Sequence, residues 1–245
     1  MARQDFRTPR LFLDTELLAG VEIALGRDHA NYVQNVMRLP PGAEVLVFNG
    51  RDGEWRASLE SMKRRVSLHV QHREREQTKA GGVACAFAPL KHARLDYMVQ
   101  KAVEMGVASL TPILTQHTQV SRVNVERMRA NAIEAAEQCG ILTVPAVGEP
   151  APFGQWIANL DDDRVLVFCD EEAAIDDPIS ALRGAAEGPL IVAVGPEGGF
   201  SDSERRTMLA RGRTVRLSLG PRILRADTAA VAALALVQAV RGDWR

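Results

Sequence analysis

Two segments near the carboxyl end of the chain hold the residue types that could do chemistry. The first is VAVGPEGGFSDSE, residues 192–204, where an apolar run enters Gly195, Pro196, Glu197, Gly198 and Gly199 and Ser201-x-x-Glu204 follows. A buried strand ending at Val194 would deliver this loop to the carboxyl edge of a parallel sheet, where open α/β sheets bind ligands. Gly198 and Gly199 admit backbone angles closed to other residues and let a ligand approach the main chain. Ser201 and Glu204 have the spacing of a capping box for the next helix. The loop contains Glu197 and neither lysine nor arginine, which suits a neutral or cationic ligand better than a phosphate. A Gly-Lys-Ser/Thr phosphate loop and a G-x-G-x-x-G spacing are both absent. The same residues also satisfy a plain strand-to-helix turn.

The second segment, LSLGPRILRADTAA at residues 217–230, repeats the arrangement: apolar strand, Gly220-Pro221, then a helix. Here two cations, Arg222 and Arg225, flank Ile223 and Leu224. A turn alone does not require them. Their other use is in surface ion pairs, which contribute little to stability.

The elements that must position these loops follow from the alternation of apolar strands and helices after residue 82. VACAFAP, SLTPIL, RVLVFCD, PLIVAV and TVRLSL read as strands, with helices over residues 93–105, 125–138, 178–186, 201–211 and 226–240. That rhythm predicts an α/β fold with a mostly parallel sheet covered on both faces. The first third reads instead as β: RLFLD, VEIAL, AEVLVFNG, EWRASLE and RVSLHV, with one helix over residues 28–37 and hairpin chemistry at NGRDG. The charged stretch QHREREQTKAGG, residues 71–82, is the expected boundary. The last helix, AAVAALALVQAV, is apolar on nearly every face, which requires burial in the core or against a second copy.

Composition narrows the partners. The 245 residues carry a formal net charge of −1, which argues against coating nucleic acid through charge alone. A local grip remains open, since residues 1–79 hold 13 Lys+Arg against 11 Asp+Glu. The three cysteines, Cys85, Cys139 and Cys169, form no C-x-x-C pair, so reduced thiols are expected and neither disulfides nor a zinc site. The N-terminus has no apolar signal core and no stretch is long enough to span a membrane, so a cytoplasmic protein is expected.

GPEGGFSDSE followed at short distance by LSLGPRILRADTA resembles the ribosomal RNA small subunit methyltransferase E family, in the SPOUT class of knotted AdoMet-dependent methyltransferases. The likeness extends over nearly the whole chain: RLFLD, HANYVQNVMRLPPGAEVLVFNGRDGEW, KHARLDYMVQKAVEMGVASLTPIL and AIEAAEQCG all resemble family segments. The chain departs where Gly140-Ile141 follow Cys139 in place of an arginine, at TQHTQVSR, and at Asp227-Thr228-Ala229 in place of Glu-Thr-Ala.

The resemblance implies transfer of a methyl group from S-adenosyl-L-methionine (AdoMet) to N3 of a uridine in 16S ribosomal RNA. It implies a PUA-like β-barrel domain at residues 1–72, a linker at 73–82, and a trefoil-knotted SPOUT domain at 83–245. Gly195, Pro196, Glu197, Gly198, Gly199, Leu217, Leu219, Gly220, Ile223 and Leu224 map to the cofactor site, with the end of RVLVFCD as a third wall. Arg222 and Arg225 are candidates for stabilising charge on the uridine or for holding an RNA phosphate. Glu197 either accepts a proton or orients the target, or is a structural carboxylate. Arg7, Arg10, His29, Arg38, Lys91 and Arg94 are the candidate RNA contacts, with Tyr32 and Lys63-Arg64-Arg65 as further ones. For His29 a plain helix start, and for residues 63–65 a solvated face, serve as well; His117 is expected at the surface near the same edge. A homodimer is implied, no metal is, and no metal-ligand cluster appears in the sequence. The alternatives are an RNA-binding module of this fold without catalysis, a SPOUT enzyme acting at another RNA position, and a nucleotide-phosphate hydrolase.

Overall fold

The computed structural model describes residues 5, 7–62, 65–120, 122–173 and 177–244. The chain divides into two units, Met1–Lys79 with Ala136–Val144, and Ala80–Ala135 with Pro145–Arg245.

The first unit contains β1 (Arg10–Phe12), β2 (Glu22–Ala24), α1 (Arg27–Asn31), a π-helical turn (Tyr32–Val36), β3 (Glu44–Phe48), β4 (Glu54–Met62) and β5 (Arg65–Arg75). The strands form a five-stranded sheet in the order β1-β3-β4-β5-β2, with β1 parallel to β3 and the remaining pairs antiparallel. One face is apolar: Leu11, Val45, Val47, Ala57, Leu59, Leu68 and Val70 bury themselves with Leu13, Leu17 and Val33 in one core. The hairpin expected at NGRDG is present, pairing Phe48 with Glu54. The Asn49 Oδ1 accepts the N–H groups of Arg51 and Asp52, a local bond that fixes the turn. Gly53, at φ +88°, closes it, because a β-carbon there would lie 2.3 Å from the Arg75 carbonyl oxygen.

The helix expected over residues 28–37 widens after Asn31. The Met37 N–H bonds to the Tyr32 carbonyl, five residues back, and Arg38 follows in the left-handed region at φ 53°. This turn buries Val33 and lays Tyr32, Met37 and Leu39 against the core.

Two expectations fail at one buried charge cluster. Residues 73–75, expected in a linker, continue β5. Arg10, expected on RNA, is only 7% exposed. Both arginines converge on Glu54: Arg10 Nε donates to its Oε1 at 2.9 Å and Arg75 Nε to its Oε2 at 2.7 Å. Arg75 Nη2 also reaches the Gly140 carbonyl at 2.9 Å, tying in the segment at 136–144. A buried carboxylate needs such partners, and they extend the strand past the predicted boundary.

The second unit contains β6 (Val83–Phe87), α2 (His92–Glu104), β7 (Ser109–Leu114), α3 (Val125–Cys139, of which residues 136–139 belong to the first unit), β8 (Ala146–Val147), β9 (Ala151–Pro152), α4 (Phe153–Ala158), β10 (Val165–Cys169), α5 (Pro178–Arg183), β11 (Leu190–Val194), α6 (Asp202–Leu209), β12 (Thr214–Leu217) and α7 (Ala226–Arg241). Its sheet runs β12-β10-β11-β6-β7-β8, with β9 also on β7, and every described pairing is parallel. β6, β10 and β11 are apolar along their whole length because both faces are covered. On one side Phe153, Trp156 and Ile157 of α4 pack with Phe168, Phe200 and Met208.

The last helix is covered on one side only. Ala226, Ala229, Ala230, Ala233, Leu234 and Val237 are buried, whereas Val231, Ala232, Ala235 and Leu236 are partly exposed and Ala239 is exposed. Burial on all sides, one of the two readings of its sequence, is therefore not reached within this chain. Gln238, 1% exposed, donates Nε2 to the Met105 carbonyl at 2.5 Å and secures the helix end. Among the described residues no helix is long and apolar enough to cross a membrane.

Replacing Glu54 by Ala leaves the charge of the buried Arg10, and that of the half-buried Arg75, uncompensated. The expected cost is about 3–5 kcal/mol, read as a lowered urea midpoint. A loss below about 1 kcal/mol would mean that the cluster is solvated in solution.

Candidate active site

Three strands carry the site. β10 pairs in parallel with β11 on one side and β12 on the other, so Cys169, Val194 and Leu217 end at one edge of the sheet. The loops that follow enclose a cavity of about 440 Å³. Cys169, Asp170, Glu171 and Ala173 form one wall, residues 194–199 a second, residues 217–224 a third, and Ala226 and Ala229 close it from α7. Gly195, Pro196, Glu197, Gly198, Gly199, Leu217, Leu219, Gly220, Ile223 and Leu224, the residues mapped to a cofactor from the sequence, are all in this lining. Volume and apolar walls are those of a small-molecule site.

The glycine loop is thin and held from outside. The Gly199 N–H bonds to the Pro196 carbonyl at 2.9 Å, and Gly199 sits at φ +69°. A β-carbon on Gly199 would lie 2.0 Å from Glu171 Oε1, and one on Gly198 would lie 3.3 Å from the His117 Cβ. His117 is exposed, as expected, but it is not idle. Its Nδ1 lies 3.0 Å from the Gly198 carbonyl and 3.2 Å from that of Gly199, so this nitrogen carries the proton and donates. Glu204 completes the expected capping box and does more. Its Oε2 accepts the Ser201 N–H at 2.9 Å, and its Oε1 accepts the Gln116 N–H at 2.8 Å. The segment after β7 is thereby bound to the helix that follows the glycine loop.

Charge at the cavity is unevenly satisfied. Asp170, 4% exposed, accepts Arg216 Nε at 2.7 Å and lies 3.0 Å from Arg205 Nη2. Glu197 stands at the rim, half-exposed, with Arg94 Nη1 of α2 at 3.7 Å. A predicted RNA contact and a predicted catalytic carboxylate thus meet. Arg222 lines the cavity and is exposed; Arg225 is also exposed but occupies the N-cap of α7, outside the lining. Lys91 is exposed at the start of α2. In the first unit Arg7, Arg38 and Arg65 are exposed, His29 is half-buried on α1, Tyr32 packs on the core and Arg10 is spent on Glu54. Lys63 and Arg64 lie outside the described residues. Among the described residues no group of His, Cys, Asp and Glu could hold a metal ion.

Sequence reasoning missed Glu171, Ala173, Ala226 and Ala229 in the lining, and the tie from His117. An acidic pair directly after a buried apolar strand was the available signal for Glu171. Nothing local marked His117, whose partner is 81 residues away.

Two thiols lie at this edge or behind it. Burial pushes the Cys85 thiol up to about 12. Burial does the same at Cys169, to about 12, with smaller contributions from Cys85, Glu171 and Asp170. Both stay protonated in the folded chain over the range where unfolded thiols, near 9.0, ionise. Their contribution to stability is complete below pH 9.0 and is lost as pH rises through about 12. Each thiol adds a slope of at most about 1.4 kcal/mol per pH unit. Denaturation of the wild type and of Cys85→Ala at several pH values between these limits should show the smaller slope in the variant; equal slopes would contradict the burial argument.

Comparison with known proteins places this geometry. The RNA methyltransferase domain family matches residues 77–238, and the RNA methyltransferase PUA domain family matches residues 25–71. The ribosomal RNA small subunit methyltransferase E of Rickettsia conorii is 28% identical over 232 residues, covering 94% of each chain. The crystal structure of the ribosomal RNA small subunit methyltransferase E from Neisseria gonorrhoeae, bound to S-adenosyl methionine, superposes with a TM-score of 0.85 at 25% identity, over 98% of this chain and 100% of that one. A putative methyltransferase from Legionella pneumophila, in complex with bound cofactor SAM, gives 0.83 at 30% identity, over 97% and 99%. A domain match over most of the chain, joined to full-length likeness in sequence and fold, shows that this chain belongs to the RNA methyltransferase family of ribosomal RNA small subunit methyltransferase E.

Proposed function

We propose that this chain methylates 16S ribosomal RNA, taking the methyl group from AdoMet and placing it on N3 of a uridine. The observation that carries the reading is the cavity at the sheet edge, lined by three loops that include Gly195, Gly198, Gly199 and Gly220. The residues present fit the donor. Gly195, Gly198, Gly199 and Gly220 bring main chain without side chains to the lining, Leu217, Leu219 and Leu224 give apolar walls, and the carboxylates of Glu171 and Glu197 favour a cation. Bound there, AdoMet supplies an electrophilic methyl group on a sulfonium.

The chain's own residues supply orientation and charge. Peptide groups of residues 195–199 and 218–220 hold the ligand in one pose, which converts an encounter into an aligned approach. Uridine N3 is a poor nucleophile until its proton leaves, and the resulting charge spreads onto the two flanking carbonyl oxygens. Arg222, at the rim, is the cation in reach of that charge. Glu197, beside Arg94, takes the N3 proton or orients the base. Arg225 is assigned to an RNA phosphate, since it stands outside the lining. Arg7, His29 and Arg38 in the first unit, and Lys91 and Arg94 in the second, are the proposed RNA contacts.

Three further assignments accompany the reading. The half-exposed apolar face of α7 is proposed as the contact of a homodimer. The segment after β12 is proposed to thread a trefoil knot, and the linker is proposed to fall at residues 76–82, after the end of β5. The proposed place of action is the cytoplasm.

Calorimetry with AdoMet and with ATP tests the ligand class: AdoMet should bind, and a response to ATP alone would remove the reading. Mass spectrometry of 16S rRNA from a deletion strain, before and after adding the protein, should show one uridine gaining one methyl group. In the same assay Arg222→Ala should lower transfer by about 10²–10³-fold and leave AdoMet affinity within about threefold. Equal loss of both would assign Arg222 to cofactor binding instead.

A further inference from the structure

The cavity has carboxylates of three different standings. Asp170 is paired twice: the buried Arg205 and the exposed Arg216 both meet its buried carboxylate. Glu197 has Arg94 facing it at 3.7 Å. Glu171 differs from both. It is exposed into the cavity, and its carboxylate has no hydrogen bond or ion pair among the described residues. Arg205 feels its charge but is already bound to Asp170 and Glu172.

Its position is defined by a glycine. Glu171 Oε1 lies where a Gly199 β-carbon would come within 2.0 Å, so the carboxylate of the first wall rests against the main chain of the second. Only glycine at residue 199 permits this approach, and the φ of +69° there independently favours glycine. An anion that stands between two walls of a ligand cavity with no partner among the described residues is a counter-charge for whatever binds there.

We propose that Glu171 is a cofactor-specificity residue that reads the positive charge of the methyl donor. This rests on the AdoMet reading above. AdoMet and its product, S-adenosylhomocysteine, share the adenosine and the amino-acid end and differ at sulfur, which is a sulfonium before transfer and a neutral thioether after it. A carboxylate facing that atom favours the donor and loses its attraction once the methyl has left. Glu171 thereby sets the ratio of donor to product affinity, and the neutral product leaves without a counter-charge to break. The glycine loop supplies contacts common to both ligands; Glu171 supplies the difference.

The test is calorimetric and needs no turnover. AdoMet, S-adenosylhomocysteine and sinefungin, which carries an amine in place of the sulfonium, are titrated into the wild type and into Glu171→Gln. Affinity for AdoMet and sinefungin should fall about tenfold in the variant, while that for S-adenosylhomocysteine changes by less than about twofold. Retained binding of the product shows that the variant is folded. For the wild type, but not for the variant, raising the salt should narrow the gap between donor and product. A parallel loss for all three ligands would place Glu171 against a part they share, and no loss for any would show its charge to be spent on solvent; either result overturns the proposal and leaves the AdoMet reading standing. A wild type that binds none of the three overturns the reading itself.

Discussion

The position of β10 between two parallel neighbours is the constraint on which the site depends. Phe168 pairs with Ala193 and Cys169 with Leu217, so three segments far apart in sequence end level with one another. Parallel strands require crossovers, and each crossover returns its chain to the opposite edge. All the loops after the strands therefore open on the same side. The Asp170 N–H carries the ladder one residue further, to the Leu217 carbonyl at 3.2 Å. That bond fixes where the Asp170 side chain enters the protein, between Arg205 of α6 and Arg216 of β12. A buried carboxylate so placed cannot move without losing both guanidinium partners, so the first wall of the cavity inherits its position from the sheet.

The second wall is built on a different principle. Three of residues 195–199 are glycine, and side chains on them would press on Phe200, His117 and Glu171 in turn. Such a loop cannot stabilise itself by packing. It is held instead by groups that do not face the cavity: Glu204, which joins the N–H groups of Ser201 and Gln116, and His117, which donates to the loop carbonyls. Separating the groups that hold the loop from the surface it offers lets the glycines themselves line the cavity. A loop anchored through its own side chains would have to fill the space it is meant to leave open.

This separation also governs what the sequence revealed. The walls were legible because their signals are local: LIVAV and VLVFC are continuous apolar runs, GPEGG is dense in glycine, and Ser201 and Glu204 sit at capping spacing. The anchors were not, because each depends on a partner distant in sequence. His117 looks like any exposed histidine until Gly198 is beside it. Arg10 looks like an available cation until Glu54, 44 residues later, takes it into the core. The same cluster hides the true end of β5, since HRER has no alternating pattern to show it. β8 and β9 have two residues each and α4 begins without a side-chain cap, so that stretch offered neither period nor punctuation.

Arginine pairing in the first unit bears on how such a chain could hold a polyanion. Its small surplus of basic residues overstates the charge on offer. Arg10 and Arg75 are consumed by Glu54, and Arg56 lies among Glu44, Glu74 and Asp5 at 2.6, 2.5 and 3.5 Å. Arg73 faces Glu76, and Arg51 faces Asp14. What remains without a carboxylate partner among the described residues is a short set that includes Arg7, Arg27, Arg38 and Arg65. The described cations of this unit are too few for a broad field, which needs many uncompensated charges and fades with salt. Individually placed contacts are the alternative such a charge distribution allows. Arg38, held at a φ that costs a non-glycine residue strain, is the kind of side chain whose position the fold maintains at a cost. Near-neutral charge and nucleic-acid recognition are compatible when the cations that stay open are positioned individually and the rest are used to build the fold.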